Sequence, residues 1–327
     1  MHILVTGAAG MIGAKLTARL AADGALVGRG IDRLTLADVV APTPPPNAPF
    51  AVETLAADIG DPATAPRLVA GRPAVIFHLA AIVSGEAEAD FDKGYRINLD
   101  GTRALFEAIR VQGDDYRPRV VFASSIAVFG APLPEPVPDD FHLTPLTSYG
   151  TQKAIGELLL ADYTRRGILD GVGLRLPTIC VRPGKPNKAA SGFFSGIIRE
   201  PLAGQEAVLP VSEDVRHWHA SPRAAVGFLL HAAALDAGAI GPRRSLSMPG
   251  VAATVGEQIA ALRRVAGDAV AARIRREPDA GIARIIASWP RAFDPGRALA
   301  LGFTAESSFD EIIRVHIEDE LGGRIAG

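Results

Sequence analysis

One cysteine in 327 residues, Cys180, excludes an internal disulfide and fits a reducing compartment. A lone thiol of this kind is most often a small buried hydrophobe. Long apolar runs are missing as well: nothing approaches the stretch of about 18 residues that a spanning helix needs, so no membrane partner is expected. The N-terminus passes straight into a strand pattern rather than a secretory signal, and a cytoplasmic location is the expectation. Basic excess is absent. Lys and Arg number 34 against 36 Asp and Glu, for a net charge of −2, and no Lys/Arg run concentrates charge on one face, which argues against a nucleic-acid partner. What is present is hydrophobic residues at 48%, enough over this length for a full core in one large or two intimate domains, with small molecules as the expected partners.

Strand and helix patterns alternate along the chain. The apolar runs HILVT, LTLADVV, AVETLAADI, AVIFHLAA, RVVFASS and GVGLRLP read as strands, with helical segments between most of them. Near-continuous apolar strands separated by helices predict a parallel sheet covered on both faces, the α/β doubly wound, Rossmann-type class. The Pro-rich APTPPPNAP after the second run predicts a surface loop. Beyond Pro177 the alternation weakens. Residues 1–177 are therefore expected to form the nucleotide-binding domain. Residues 178–327 are expected to form a smaller, mainly substrate-binding region with some segments returning to the sheet. Within it Thr254 and Glu257 have the spacing of a capping box that opens a helix.

The first strand runs into a helix through LVTGAAGMIGAKL. Gly7 suits the positive φ of a turn, Gly10 leaves a pyrophosphate free to approach the backbone, and Gly13 lets helix and strand lie close. Phosphates would sit at the helix N-terminus. GxxGxxG alone also fits an ordinary tight turn. An acidic residue should then end the second strand and hold the adenosine ribose. Asp32 has the nominal spacing but precedes the apolar run, whereas Asp38 ends it. Asp38 is the choice, with GRGIDR as a lengthened helix-strand loop, and its carboxylate favours NAD over NADP by repelling a 2′-phosphate. Arg29 and Arg33 lie close enough in sequence to weigh against that preference. Asp58 and Ile59, after the third strand, are placed to reach the adenine; Asp58 also fits a helix N-cap.

The chemistry lies in SYGTQKAIGELL. Tyr149 and Lys153, four apart on a predicted helix, share a face, and Ser125 ends the fifth strand at the sheet edge where ligands bind. A phenol ionises near pH 10, so a base working near neutrality needs its phenolate stabilised by roughly 4 kcal/mol. Lys153 and an oxidised nicotinamide supply the positive charge. Tyr149 would take the proton of a substrate hydroxyl hydrogen-bonded to Ser125, while the carbon-bound hydrogen leaves as hydride.

GAAGMIG, the acidic strand end, DI, HLAA, YRINLDGT, SSIAVFG, YGTQK and LRLP occur in the order of the extended short-chain dehydrogenase/reductase family, also called the NAD-dependent epimerase/dehydratase family. ALGFTAESSFDEII resembles the family's tail, so the resemblance spans essentially the whole chain. It implies NAD as cofactor and a Ser125/Tyr149/Lys153 triad with a positioning contribution from Asn98. It also implies cofactor contacts at Met11, Ile12, Ala80, Ala81, Ser124, Pro177 and Thr178, and a homodimer pairing the helices that follow Asn98 and Tyr149. Departures narrow the substrate. Ile126 and Ala127 follow Ser125 where dehydratases carry Asp-Glu, and LRLPTICVRPGKPNKAASGFF replaces the N-x-Y-G-P segment of sugar-nucleotide epimerases. Arg182, Lys185, Asn187 and Ser191 suit a small carboxylate better than an extended diphosphate, although each fits an ordinary polar loop. Together with SGEAEADFDKGYRINLDGT, that segment resembles the family's dehydrogenases of four-carbon sugar acids. The likeness implies oxidation of the C2 hydroxyl to a 2-oxo acid, with Ser84 and Arg216 as further substrate contacts.

In RHWHASP, His217 and His219 share one side of a strand, but no acidic or cysteine cluster accompanies them, so no metal is expected. Trp218 and Trp289 read as packing residues. Three classes remain: a sugar-acid dehydrogenase, a nucleotide-sugar 4-epimerase, and a noncatalytic cofactor sensor, which the presence of both Tyr149 and Lys153 demotes.

Overall fold

The computed structural model describes residues 1–184 and 191–326. Ile3, Leu4 and Val5 of β1 (His2–Thr6) are all fully buried. Consecutive strand residues point to opposite faces, so both faces of this strand are covered. Helix α1 (Met11–Asp23) turns Gly13, Leu16, Thr17, Leu20 and Ala21 inward at helical spacing and ends at Gly24, whose N–H caps Leu20 O at 3.0 Å. The strands β2 (Arg33–Asp38), β3 (Ala51–Ala56) and β4 (Val75–His78) follow. Then come α2 (Gly101–Arg110), β5 (Arg119–Ser125), α3 (Ser148–Arg165), β6 (Asp170–Leu176) and β7 (Ser245–Ser247).

These seven strands form one sheet in the order β7-β6-β5-β4-β1-β2-β3, and the pairs β1–β2, β1–β4, β2–β3 and β4–β5 are parallel. The doubly wound α/β class expected from the sequence is the one observed. Its order reverses at β1, whose neighbours are β2 and β4, so the carboxyl ends of β1 and β4 flank the switch point where such sheets take ligands. One local expectation is corrected. GRGIDR is not a plain loop: Ala25–Leu26 pairs antiparallel with Arg29–Gly30 around Val27 and Gly28, both at positive φ, a two-residue hairpin.

By internal contacts the chain divides into two compact units. The first comprises Met1–Val128, Pro145–Arg175 and Val226–Leu246. The second comprises the described parts of Phe129–Thr144, Leu176–Ala225 and Ser247–Gly327. In the second unit Thr178–Ile179, Arg216–Ala220 and Val251–Thr254 make a three-stranded sheet, parallel then antiparallel. Its core gathers Phe194, Ile197, Ile259, Leu262, Ile312 and Ile313. The helix Val255–Ala266 opens with the expected capping box of Thr254 and Glu257. Cys180 lies in this core; its thiol donates to Phe194 O at 3.4 Å, and burial pushes its pKa up to about 12. Among the described residues no helix is long and apolar enough to cross a membrane.

Candidate active site

Gly7 follows β1 at φ +74°, and a Cβ there would lie 2.7 Å from both Ala80 N and Leu79 C. At Gly13 it would lie 2.2 Å from Gly7 O. At Gly10 it would meet only Gly7 O, at 3.3 Å, so that position is open toward a ligand. Gly10 is the N-cap of α1 and no side chain caps the helix, leaving its first N–H groups for an anion. Met11 and Ile12 are half-buried in that first turn. Asp38 closes the cradle: its Oδ2 accepts from Ala9 N at 3.0 Å, while Ala8 N donates to Ala37 O at 3.2 Å. A loop shut to side chains, an uncapped helix start and a carboxylate beside them fit a dinucleotide.

The rival, Asp32, sits before the amino end of β2 and pairs with the Met1 ammonium. Arg33 pairs with Glu53. Asp58 does not cap the helix Thr64–Val69; it accepts from Gly60 N at 2.8 Å and pairs with Arg96 at 2.7 Å. Burial pulls its pKa up, but those two bonds outweigh burial and hold the carboxyl below its usual value. Ile59 beside it is buried.

The carboxyl end of β5 and the start of α3 meet through a second glycine. Thr147 caps α3 by accepting from Gly150 N at 3.0 Å, and a Cβ on Gly150 would lie 2.1 Å from Ala127 O. That close approach presses the helix start carrying Tyr149 onto the turn after Ser125. Ser125 Oγ accepts from Ala127 N at 3.1 Å, a bond that does not use its hydroxyl hydrogen. Lys153 reaches along the same helix face to within 5.7 Å of the Tyr149 ring centroid and donates to Ala123 O at 2.8 Å. It is 2% exposed, and burial lowers its pKa to about 8. A lysine so placed puts a weakly solvated cation beside the phenol, which favours phenolate. Ser124, expected as a cofactor contact, spends its hydroxyl in the core: it donates to Glu157 at 2.6 Å, and Glu157 is held by Arg175 at 2.9 Å. Its hydroxyl hydrogen is therefore not available to a ligand.

Asn98 sits in a π-helical turn, Tyr95–Asp100, that leads into α2. Its Oδ1 accepts from Ile82 N at 2.8 Å and its Nδ2 donates to Gln152 Oε1 at 2.8 Å. Asn98 thus ties the segment carrying Ala80 and Ala81 to α3. Ser84 opens the short helix Ser84–Ala89 and is half-buried. Sequence reasoning missed Gly150 and Gln152, although both stand inside the quoted YGTQK motif.

In the second unit Pro177 is buried, and Thr178 Oγ1 lies 2.7 Å from His217 Nε2. His217 Nδ1 lies 2.9 Å from Pro290 O and therefore carries the hydrogen, so Thr178 donates to Nε2. Burial lowers His217 to about pKa 4 and His219 well below its usual value. Both are core histidines, and the described residues hold no cluster able to bind a metal. Trp218 packs with its indole N–H donating to Met248 O at 3.1 Å. Arg182 donates to Ile179 O and Ser191 Oγ, each at 3.0 Å, and Arg216 pairs with Glu257 at 3.3 Å. Lys185 and Asn187 lie outside the described residues.

Comparison with known proteins agrees with this geometry. The chain is 51% identical over 323 residues, 98% of each chain, to a D-erythronate dehydrogenase of Cupriavidus necator. It is 43% identical to one of Haemophilus influenzae over 98% of this chain and 100% of the relative. A solved structure from Agrobacterium tumefaciens, described as a nucleoside-diphosphate-sugar epimerase, superposes with a TM-score of 0.98 at 66% identity, covering 100% of this chain and 96% of the other. Residues 3–241 match the model of the NAD dependent epimerase/dehydratase family. That match spans most of the chain, including the glycine cradle, the Ser125/Tyr149/Lys153 group and the acidic end of β2, and the chain belongs to this family.

Proposed function

We propose that this protein is an NAD-dependent dehydrogenase of a small sugar acid, with D-erythronate as substrate and 2-oxo-D-erythronate as product. The full-length likeness to the Cupriavidus necator dehydrogenase carries this reading, and the buried Lys153 beside Tyr149 supplies its chemistry. When bound, NAD accepts a hydride from the carbon being oxidised. Gly7, Gly10, Met11, Ile12 and Gly13 would hold its pyrophosphate, Asp38 its adenosine ribose, and Asp58 and Ile59 would flank the adenine. Ala80, Ala81, Asn98, Ser124, Pro177 and Thr178 would line the remainder.

Ser125 donates to the substrate's C2 oxygen and Tyr149 removes its proton as the carbonyl forms. Lys153 stabilises the phenolate and would hold the cofactor's second ribose. Ser84, Arg182, Asn187 and Arg216 are the substrate contacts of this reading, the two arginines matching a carboxylate. Asp38 disfavours a 2′-phosphate and hence NADP. The protein acts in the cytoplasm as a homodimer through α2 and α3.

A second reading, a nucleotide-sugar 4-epimerase, is favoured by the description of the Agrobacterium tumefaciens structure. The two differ in net redox. NADH formation is measured with NAD and a panel of four- to six-carbon sugar acids, beside UDP- and dTDP-sugars. Saturable reduction of NAD by D-erythronate is the expected outcome. Silence with every acid together with interconversion of a nucleotide sugar would replace the first reading by the second.

A further inference from the structure

Thr6 and His78 face each other across the β1–β4 pair. Thr6 Oγ1 lies 2.8 Å from His78 Nδ1, and His78 Nε2 lies 2.9 Å from Thr102 Oγ1. Thr102 Oγ1 in turn lies 2.7 Å from Asn98 O, and Ala80 N is 3.4 Å from Thr6 Oγ1. Thr6, His78, Asn98 and Thr102 are each 1% exposed, so these groups are closed to bulk solvent.

The chemistry of the groups gives this chain one direction. A carbonyl only accepts, so Thr102 spends its single hydrogen on Asn98 O and accepts from His78. His78 therefore carries its proton on Nε2. With the ring neutral, because burial and the Lys153 charge lower its pKa to about 3, Nδ1 is an acceptor and Thr6 donates to it. The Thr6 oxygen is then left to accept from Ala80 N.

The far end of the chain is equally determined. The Ile82 backbone orients the Asn98 amide, its carbonyl accepting from Nδ2 at 3.2 Å while its N–H donates to Oδ1 at 2.8 Å. Gln152 must then turn Oε1 toward Asn98. Gln152 is fully buried, next to Lys153 and one turn beyond Tyr149. Both ends of the segment from Ala80 to Ile82 thus hang on one network whose last member sits on α3.

We infer that His78 and Gln152 are positioning residues: the one-way chain from Ala80 through Thr6, His78, Thr102 and Asn98 to Gln152 holds the cofactor-side segment Ala80–Ile82 against the Tyr149–Lys153 helix. The inference rests on the dehydrogenase reading only for which reaction is being aligned. His78 is 1% exposed and Gln152 fully buried, so each is placed to act through its hydrogen-bond partners.

Two measurements test it. In the unmodified protein, nitrogen NMR of labelled histidine is expected to show His78 as a single Nε2–H tautomer that does not titrate between about pH 6 and pH 9. An Nδ1–H tautomer, or titration in that range, would overturn the chain's direction. NAD affinity by calorimetry, which needs no substrate, is then compared for His78→Leu and His78→Gln. Loss of the network is expected to weaken NAD binding about tenfold in His78→Leu, while the acceptor and donor of Gln restore it to within about threefold of the parent. Equal affinities in the two variants would sink the positioning role. Where His78→Leu fails to fold, Gln152→Leu takes its place in the calorimetry, with the same loss of about tenfold in NAD affinity expected and an unchanged affinity sinking the positioning role. Failure of D-erythronate as substrate would leave both results standing.

Discussion

Lys153 carries the sharpest consequence at the scale of one side chain. Burial lowers its pKa from 10.5 to about 8. Between those values the unfolded chain holds a proton that the folded chain has released, so stability rises with pH across that window. Below it the folded protein bears the full cost of a buried ammonium, about 3 kcal/mol. Lys153→Met removes that cost along with turnover. The stability of the variant relative to the parent, by urea unfolding without cofactor, is expected to fall by about 3 kcal/mol from about pH 7 to about pH 10.5; an unchanged difference would mean that Lys153 titrates in the fold as it does in the unfolded chain. Tyr149→Phe is expected to lower kcat by at least about a hundredfold with NAD affinity intact, since only the proton acceptor is lost. Steady-state kinetics beside calorimetry checks both halves. Asp38, Ser125, Tyr149 and Lys153 were legible because strand ends and helical spacing place them. Gln152 and His78 were not, because a buried amide or imidazole looks like any other polar residue until its partners are in view.

At the scale of elements, the join between β5 and α3 decides whether Ser125 and Tyr149 work together. A methyl on Gly150 would collide with Ala127 O at 2.1 Å, a backbone atom that cannot rotate away. Gly150→Ala is expected to destabilise the protein by about 1–3 kcal/mol and, in the folded fraction, to lower kcat more than it raises KM. Thermal unfolding together with initial rates separates the two effects, and an unaltered kcat would show that the close approach has no part in alignment. The apolar runs made the sheet strands readable, because β1 and its neighbours are covered on both faces. The π-helical turn at Tyr95–Asp100 was hidden: its wider winding has no periodicity of its own over six residues. The hairpin at Ala25–Gly30 was missed for the same reason of brevity.

On the scale of the whole molecule, the family resemblance extended from the first glycine to the C-terminal tail, and the matched model and full-length relatives bear it out. The sequence left the pairing of the second unit's short strands open, since Thr178–Ile179 has too few residues to show an alternation. The proposed homodimer gives a test of its own. Leu158 lies on α3 with 64% of its surface exposed, and a leucine so open gains by being covered. Leu158→Glu is expected to shift the protein to a monomer in sedimentation equilibrium, with NAD binding retained; a dimer that survives the change would move the interface elsewhere.

Cys180 has one more implication, for labelling chemistry. Its thiol is enclosed and bonded to Phe194 O, and burial pushes its pKa up to about 12, so alkylating reagents that require thiolate are expected to pass it by under native conditions. The folded chain is then expected to behave as a cysteine-free background without any substitution. A single cysteine introduced at a surface position would take up a fluorophore or spin label alone, and distances measured from it would need no correction for a second site.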